Sequence, residues 1–418
     1  MRILWIKANK LLPLHSGGDI RSYHLARYLA QQHELSFFSY YDGERDKDYE
    51  RQLEEQLPGA ICCCTGKDES KSARLIDYLK RLPKSAPYAV SRFEDSRVRE
   101  TLAGWYAGKK SDLVICDFLD AAVNLPAELR LPTVLFQHNV ESEIWRRHAE
   151  TETNPAKKIV FELEFRKIIA YEKASVQRFD HVIAVSNQDR DLMAQWVDAS
   201  RVSVIPTGVD LREYKPDSSK LEPAPLAMFV GAMDWEPNID AVEYFCAEMW
   251  PAVLEALPEA RFRVVGRNPD RRVQRFASES VEITGRVPAV IDHLREAAVV
   301  VVPLRIGGGT RLKIYEAMAA GKAVVSTSVG AEGLDVHNGR DIILADDPGS
   351  FAQAVIQLLR DREGRRSLEE SAAQLAARYD WPKVGERFES ILSRFCSEDM
   401  KPRVEPVGDA EMVSLRRR

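Results

Sequence analysis

Three consecutive glycines, Gly307 to Gly309, stand just ahead of Thr310, Arg311, Lys313 and Glu316, and this cluster is the part of the chain best equipped to hold a reactive ligand. Glycines leave backbone N–H groups bare. Where they precede a helix, those groups and the positive end of the helix dipole form a seat for an anion, most naturally a diphosphate. Arg311 and Lys313 add cationic donors at a place where the dipole disfavours cations unless an anion meets them. Glu316 stands in an otherwise apolar run of Ile314, Tyr315, Ala317, Met318 and Ala319, where an unpaired carboxylate is costly. The neighbouring hydroxyls of a ribose would satisfy both of its oxygens, at roughly 1.5–3 kcal/mol for each hydrogen bond to a charged group. Taken singly, the glycines make a tight turn and Glu316 pairs with Lys313 or Arg311. Taken together, they describe a nucleotide site. It is neither a P-loop, which needs Gly-x4-Gly-Lys-Ser/Thr, nor a dinucleotide fingerprint, which needs Gly-x-Gly-x-x-Gly opening a helix.

These residues need a rigid frame, and the flanking sequence predicts one. Val299 to Pro303 is a β-branched, wholly apolar run that reads as a strand buried on both faces of a parallel sheet. Arg305 to Gly309 reads as a loop, Thr310 as the cap of a helix running to Ala320, and Gly321 as the residue of positive φ that ends it. Ala323 to Ser328 follows as a second buried strand.

The remainder of the chain repeats this pattern. Strands are predicted at Arg2–Ala8, Leu35–Tyr41, Asp112–Cys116, Thr133–Phe136, His181–Ser186, Val202–Ile205, Leu226–Val230, Arg261–Gly266 and Val281–Thr284. Helices are predicted between them, including Asp19–Gln31, Pro155–Phe179, Asn187–Val197 and one opened by Asn238 as its cap. A chain of 418 residues exceeds one ordinary core and suits two α/β domains of roughly 200 residues each. Residues 1–210 form the first, 211–225 a linker rich in Pro, Lys, Ser and Glu, 226–380 the second, and 381–396 a last helix. The tail 397–418 has little to bury and reads as disordered.

Gly17 and Gly18, with Arg21 on the first helical turn after them, form a second site where either an anion or an ordinary turn accounts for the pattern. His138 follows the strand Thr133–Phe136, and strand ends are where open α/β sheets put their ligands. Glu141 and Glu143 read as the start of the next helix. The helix Pro155–Phe179 is basic and amphipathic. It reads as a packing helix with a solvated face, and contact with an anionic membrane is the alternative. Asp189 and Asp191 lie two apart on a helix, share no face, and read as solvent-facing charge instead of a metal site.

Composition excludes other classes. A formal net charge of −5 gives no electrostatic case for nucleic acid. No apolar run approaches the ~18 residues of a membrane span, and the first ten residues read as a strand and not a signal peptide, so a cytoplasmic location is expected. Of six cysteines, Cys62, Cys63 and Cys64 are adjacent and, with Cys116, Cys246 and Cys396, read as small buried residues without zinc spacing.

The segment Gly307-Gly308-Gly309-Thr310-Arg311-Leu312-Lys313, followed by Glu316-Ala317-Met318-Ala319, closely resembles the donor-site motif of the family-four retaining glycosyltransferases. These are two-domain enzymes of the GT-B fold that move a sugar from a nucleotide diphosphate. Their usual motif has a Glu, seven residues, then a second Glu. Here the second is Glu316 and the first falls on Gly308, leaving the amides of Gly307 to Gly309 as the implied replacement. The resemblance implies two Rossmann-like domains with parallel sheets facing a cleft, and a C-terminal helix crossing back to the first domain. It places His138 near the transferred sugar, and Gly17, Gly18 and Arg21 opposite the donor phosphate and the acceptor. Pro206-Thr207-Gly208-Val209-Asp210 resembles the motif that ends the first domain.

Gly231 is implied as donor-binding, yet Ala232 and Pro237 occupy places where many relatives carry an Arg and a Lys for the diphosphate, so Arg311 and Lys313 are expected to supply that charge. Gly285 and Arg286 resemble the base-contacting turn, and Gly330 to Gly333 the loop that closes the donor pocket. The implied partners are a nucleotide diphosphate sugar and a glycan or lipid-linked acceptor, with peripheral contact at the inner face of the membrane left open. No cofactor or metal is expected. Two rivals share the fold: a nucleotide-sugar epimerase and a non-catalytic nucleotide-binding scaffold subunit.

Overall fold

The computed structural model describes residues 1–14, 16–68, 70–152, 154–216, 224–306 and 311–395. Gly307, Gly308, Gly309 and Thr310, Cys396 and the predicted disordered tail all lie outside the described residues, as does the middle of the predicted linker.

Two parallel sheets organise the chain. The first contains β1 (Arg2–Ala8), β2 (Glu34–Tyr41), β3 (Ile61–Cys64), β4 (Leu113–Asp117), β5 (Thr133–Phe136), β6 (His181–Ala184) and β7 (Val202–Val204), in the order β3-β2-β1-β4-β5-β6-β7. The second contains β8 (Leu226–Val230), β9 (Arg261–Val265), β10 (Val281–Gly285), β11 (Val299–Val302), β12 (Ala323–Ser326) and β13 (Ile343–Leu344), in the order β10-β9-β8-β11-β12-β13. Helices fill the connections and cover both faces, which is why the central strands read as mostly continuous apolar runs instead of alternating, with Lys7 and Asp117 as buried exceptions at the carboxyl ends of β1 and β4. Val299 to Val302 are all fully buried. In each sheet the order reverses beside the first strand, between β1 and β4 and between β8 and β11. Ligands of open α/β sheets bind at the carboxyl ends of strands at such reversals.

The last helix, Trp381–Ser393, returns to the first domain as the sequence predicts. Its Trp381, Val384, Phe388 and Leu392 share a core with Ile3, Trp5 and Leu25. Trp381 stacks on His24 at 4.6 Å between ring centroids. Two glycines permit this close approach: a Cβ on Gly208 would sit 2.5 Å from the Trp381 ring, and one on Gly385 would sit 2.4 Å from the Tyr28 ring. Around Gly208, Val209 N–H donates to Tyr379 O at 2.8 Å, so the motif that ends the first domain pairs with the segment that re-enters it.

Several expectations are corrected. Gly17 and Gly18 are not the end of a loop but the first residues of a helix, Gly17–Ala30, because Ser16 supplies the cap by accepting from Asp19 N–H. Asn238 is not a helix cap. The helix Glu236–Tyr244 starts after Trp235, and the Asn238 side chain is buried within it. Asp189 does not face solvent: it closes the cap of the helix Asn187–Met193 through Ser186 and turns its charge toward Arg21, whereas Asp191 is exposed and pairs with Arg190. Cys62, Cys63 and Cys64 are only partly buried, because β3 is an edge strand.

Candidate active site

The helix Leu312–Ala319 follows β11, the strand at the reversal of the second sheet, and Arg311 occupies its N-cap position without a side-chain cap bond. Gly321 ends the unit with φ of 69°, a conformation that costs glycine nothing. Tyr315 stacks on Tyr379 at 4.5 Å and fixes the buried side of the helix. Its other side carries Lys313 and Glu316, three residues apart and therefore neighbours.

Lys313 Nζ donates to Asn238 Oδ1 at 2.9 Å and lies 4.3 Å from the centroid of the Phe229 ring. Asn238 in turn donates from Nδ2 to Ala232 O at 2.9 Å. Asn238 therefore clips the Gly231 loop to Lys313, and a Cβ on Gly231 would come within 2.7 Å of its amide. Burial brings the Lys313 pKa down to about 7, with the charge of Arg311 adding to it and Glu316 opposing. Glu316 is pushed up to about 7, chiefly by burial, although the Tyr214 hydroxyl and Lys313 both favour its charged form. Both groups thus hold their charge reluctantly, and each gains from a ligand of opposite or hydrogen-bonding character. Glu316 also departs from the expectation of a local pair with Arg311 or Lys313: its hydrogen-bond partner is Tyr214, from the segment before strand β8.

Arg311 is buried, and its pKa is lowered to about 10 by burial and by Arg147, with Glu332 opposing. Gly285 ends β10 with φ of 70°, its carbonyl accepting from Gly266 N–H at 3.2 Å, and the following Arg286 is exposed. Gly231, Gly266 and Gly285 therefore line the carboxyl ends of β8, β9 and β10 in turn.

The first sheet presents a second cluster at its own reversal. His138 is buried at the end of β5, and its Nε2 lies 2.6 Å from Asp117 Oδ1. Arg21 Nε donates to His138 Nδ1 at 3.3 Å, and Arg21 Nη2 donates to the His138 carbonyl at 3.3 Å. Arginine is only a donor, so Nδ1 must accept, the proton must sit on Nε2, and Nε2–H donates to Asp117. Burial holds the imidazole below its ordinary pKa, against the pull of Asp117. His138 is thus a neutral ring with both nitrogens engaged, suited to positioning a substrate and not to moving a proton.

Asp117 was not anticipated from the sequence, although a carboxylate closing an apolar strand was a usable signal. It accepts from Trp5 Nε1 at 2.9 Å and pairs with Lys7 Nζ at 3.5 Å. Burial alone would raise its pKa; Lys7 and His138 outweigh burial and hold the carboxyl well below the usual range. Arg21 is also buried, and its Nη1 has no hydrogen-bond partner. That nitrogen lies 3.8 Å from where a Cβ on Gly17 would stand, so it points toward the glycine-opened end of the helix.

The two clusters meet across the cleft. Arg147, on the helix Glu141–Thr151 after β5, forms a two-pronged pair with Glu332 at 3.0 and 3.1 Å. Gln188 Nε2 adds a bond to Glu332 at 3.1 Å. Gly333, with φ of 81°, comes so near the first domain that its Cβ would lie 3.1 Å from Ser186 Cβ. The loop Gly330–Gly333 is therefore an interdomain contact and more than a plain turn.

Comparison with known proteins agrees with this architecture. Residues 15–213 match the family model described as Glycosyltransferase Family 4, and residues 224–361 match the one described as Glycosyl transferases group 1. Among solved structures, sucrose-phosphate synthase from Thermosynechococcus elongatus aligns with a TM-score of 0.70 at 18% identity, over 94% of this chain and 98% of that one. Anabaena HepE in complex with UDP and glucose aligns with a TM-score of 0.65 at 14% identity, over 94% and 99%. Two facing Rossmann-like domains joined by a returning helix define the GT-B class. With both glycosyltransferase domains present, the protein is a glycosyltransferase of that class.

Curated relatives share somewhat more of the sequence. The chain is 24% identical to an uncharacterized 44.6 kDa protein in the cps region of Klebsiella pneumoniae, over 75% of this chain and 86% of that protein. It is 26% identical to phosphatidyl-myo-inositol mannosyltransferase of Mycolicibacterium smegmatis, over 53% of this chain and 59% of that protein.

Proposed function

We propose that the protein transfers a sugar from a nucleotide diphosphate sugar, with retention at the anomeric carbon, to a glycan or lipid-linked acceptor used in cell-surface polysaccharide assembly. The observation that carries this reading is the pairing of Lys313 and Glu316 on one helix face at the reversal of the second sheet. One supplies a cation for a diphosphate and the other a carboxylate for a ribose. The Klebsiella relative in a cps region supports the polysaccharide context, and the UDP-bound Anabaena neighbour supports the donor class.

In this reading the bond between the anomeric carbon and the β-phosphate oxygen breaks, the acceptor oxygen bonds to that carbon, and the acceptor's proton leaves with the diphosphate. Negative charge develops on the leaving group, and Lys313, Arg311 and the amides of Gly307 to Gly309 and Thr310 stabilise it. Gly231, Gly285 and the turn at Arg286 frame the nucleotide. His138 orients the sugar, and the helix start at Gly17 and Gly18, with the open Arg21 Nη1 beneath it, faces the phosphates or the acceptor. No metal has a role in this scheme. Incubation with UDP, GDP, ADP and dTDP sugars tests it: one nucleotide class is expected to be released from its sugar, undiminished by EDTA. Release from none of them, or release that EDTA abolishes, contradicts the scheme.

Peripheral membrane contact belongs to the same reading, at the start of the helix the sequence suggested together with a second helix. Among the described residues no helix is long and apolar enough to cross a membrane. The helix Pro155–Arg178 mostly packs within the domain, burying Ile168 and Val176. It exposes Ile159 and Leu163, the helix Lys71–Arg81 exposes Leu75, Ile76 and Leu79, and Lys167 Nζ ties the two helices by donating to Leu82 O at 2.8 Å. Lys80 and Lys84, and Lys157 and Lys158, are exposed and close in sequence to these apolar residues, a composition that favours anionic headgroups. The protein is expected to sediment with phosphatidylglycerol vesicles, and a Leu75→Ser/Leu79→Ser variant is expected to stay in solution. Equal sedimentation of both removes the assignment.

A further inference from the structure

A cavity of about 350 Å³ opens in the first domain beside the His138 cluster, and none of its lining residues belongs to the Lys313–Glu316 cluster. Its volume lies in the range of small-molecule sites. Two pairs of rings form its walls: Tyr78 against Tyr88 at 5.1 Å and Trp145 against Phe161 at 6.0 Å, both edge to face. Phe118 stands between the cavity and the active centre, tilted on the His138 ring at 5.7 Å. Phe118 holds φ of 73°, a conformation that a bulky residue rarely adopts and that clusters at functional sites.

Polar groups reach into the same space. Asp120 follows β4 and Glu141 follows β5, so both stand at the carboxyl ends of strands, on the side of the cleft. The buried hydroxyl of Tyr78 and the buried Nε of Arg92 have no hydrogen-bond partner. Unsatisfied buried donors are uncommon and call for a missing partner.

We infer that this cavity is the acceptor subsite and that it takes an uncharged, hydroxyl-rich sugar ring. The inference rests on the glycosyltransfer reading. The aromatic faces pack the C–H surfaces of a pyranose, the two carboxylates accept from its hydroxyls, and Tyr78 and Arg92 donate to its oxygens. A phosphate or uronate is disfavoured beside Asp120 and Glu141: burial first, and then the charge of Asp120, already drive Glu141 up to about 8, and a further anion adds to that repulsion.

Calorimetric titration of the full chain with octyl glucoside, octyl galactoside, octyl mannoside and octyl glucuronide tests this, with donor-nucleotide affinity measured on the same samples. At least one neutral glycoside is expected to bind, and the glucuronide is not. Glu141→Ala is expected to weaken that binding about tenfold, the loss of one hydrogen bond. Tyr78→Phe removes only a hydroxyl without a protein partner, so it keeps the wild-type melting temperature and still weakens glycoside binding severalfold. Donor affinity stays at the wild-type value in both variants. Binding of no neutral glycoside, preference for the glucuronide, or variants that bind as tightly as wild type would each overturn the inference. Absence of nucleotide binding by wild type, with glycoside binding intact, would instead count against the glycosyltransfer reading and leave the cavity standing as a sugar site.

Discussion

Glu316→Ala removes the stabilisation that the nucleotide sugar confers while leaving the unliganded protein at least as stable as wild type. The first half follows from the two ribose hydrogen bonds assigned to this carboxylate. At roughly 1.5–3 kcal/mol each, their loss weakens donor binding on the order of a hundredfold or more. A donor present at a hundred times its dissociation constant stabilises wild type by about 2.7 kcal/mol. The same concentration then merely equals the variant's constant and contributes about 0.4 kcal/mol.

The second half follows from the sign of the Glu316 shift. Its pKa is raised on folding, to about 7, chiefly because burial disfavours the charge. A carboxyl raised in this way opposes folding at neutral pH, so its removal relieves a burden, offset by the lost bond to Tyr214. Melting curves with and without each donor check both halves. A variant that loses stability without ligand yet keeps the full donor-induced shift would mean that Glu316 is a structural residue.

Asp117→Asn is the most destabilising single-atom-scale change expected in the first domain. Asp117 Oδ1 faces His138 Nε2, while its Oδ2 faces Trp5 Nε1 and Lys7 Nζ. Every one of these partners donates, because Arg21 occupies His138 Nδ1 and forces the ring proton onto Nε2. Asparagine offers one acceptor and one amino group, so whichever way it turns, two buried donors confront each other. Breaking one side of a buried charge pair costs about 3–5 kcal/mol. For a domain of this size that is a fall in melting temperature on the order of 10 °C.

The pH dependence gives a second signature. Asp117 is depressed on folding, so its stabilisation is complete above the ordinary carboxylate pKa of about 4 and fades as pH falls toward its folded value. The gap between wild type and Asp117→Asn is therefore expected to be full at pH 7 and to narrow on acidification below pH ~4. An unchanged melting temperature at pH 7 would show that the Lys7–Asp117–His138 contact has no structural weight.

Local order along the chain determined a good deal of this. Apolar, β-branched runs and helical periodicity marked most strands of both sheets, though not β3 or β13, because a strand buried on two faces is apolar over most of its length. Helical periodicity marked the last helix, whose return to the first domain only the family resemblance implied, and Glu316 stood out as a carboxylate in an apolar helix. Those signals are short-range: each is a property of neighbouring residues and the backbone geometry they favour.

Partnerships between side chains were decided by the tertiary structure. Asp117 meets His138 because β4 and β5 lie side by side, and it meets Lys7 because β1 lies on the other side of β4. Arg147 and Glu332 are 185 residues apart and touch only because the two sheets turn their carboxyl ends toward one cleft. Asn238 reads as a cap in sequence and is a buried bridge between Ala232 O and Lys313 in space. A buried polar atom must find a partner wherever the fold brings one within reach, and strand order sets that reach, which no stretch of local sequence encodes.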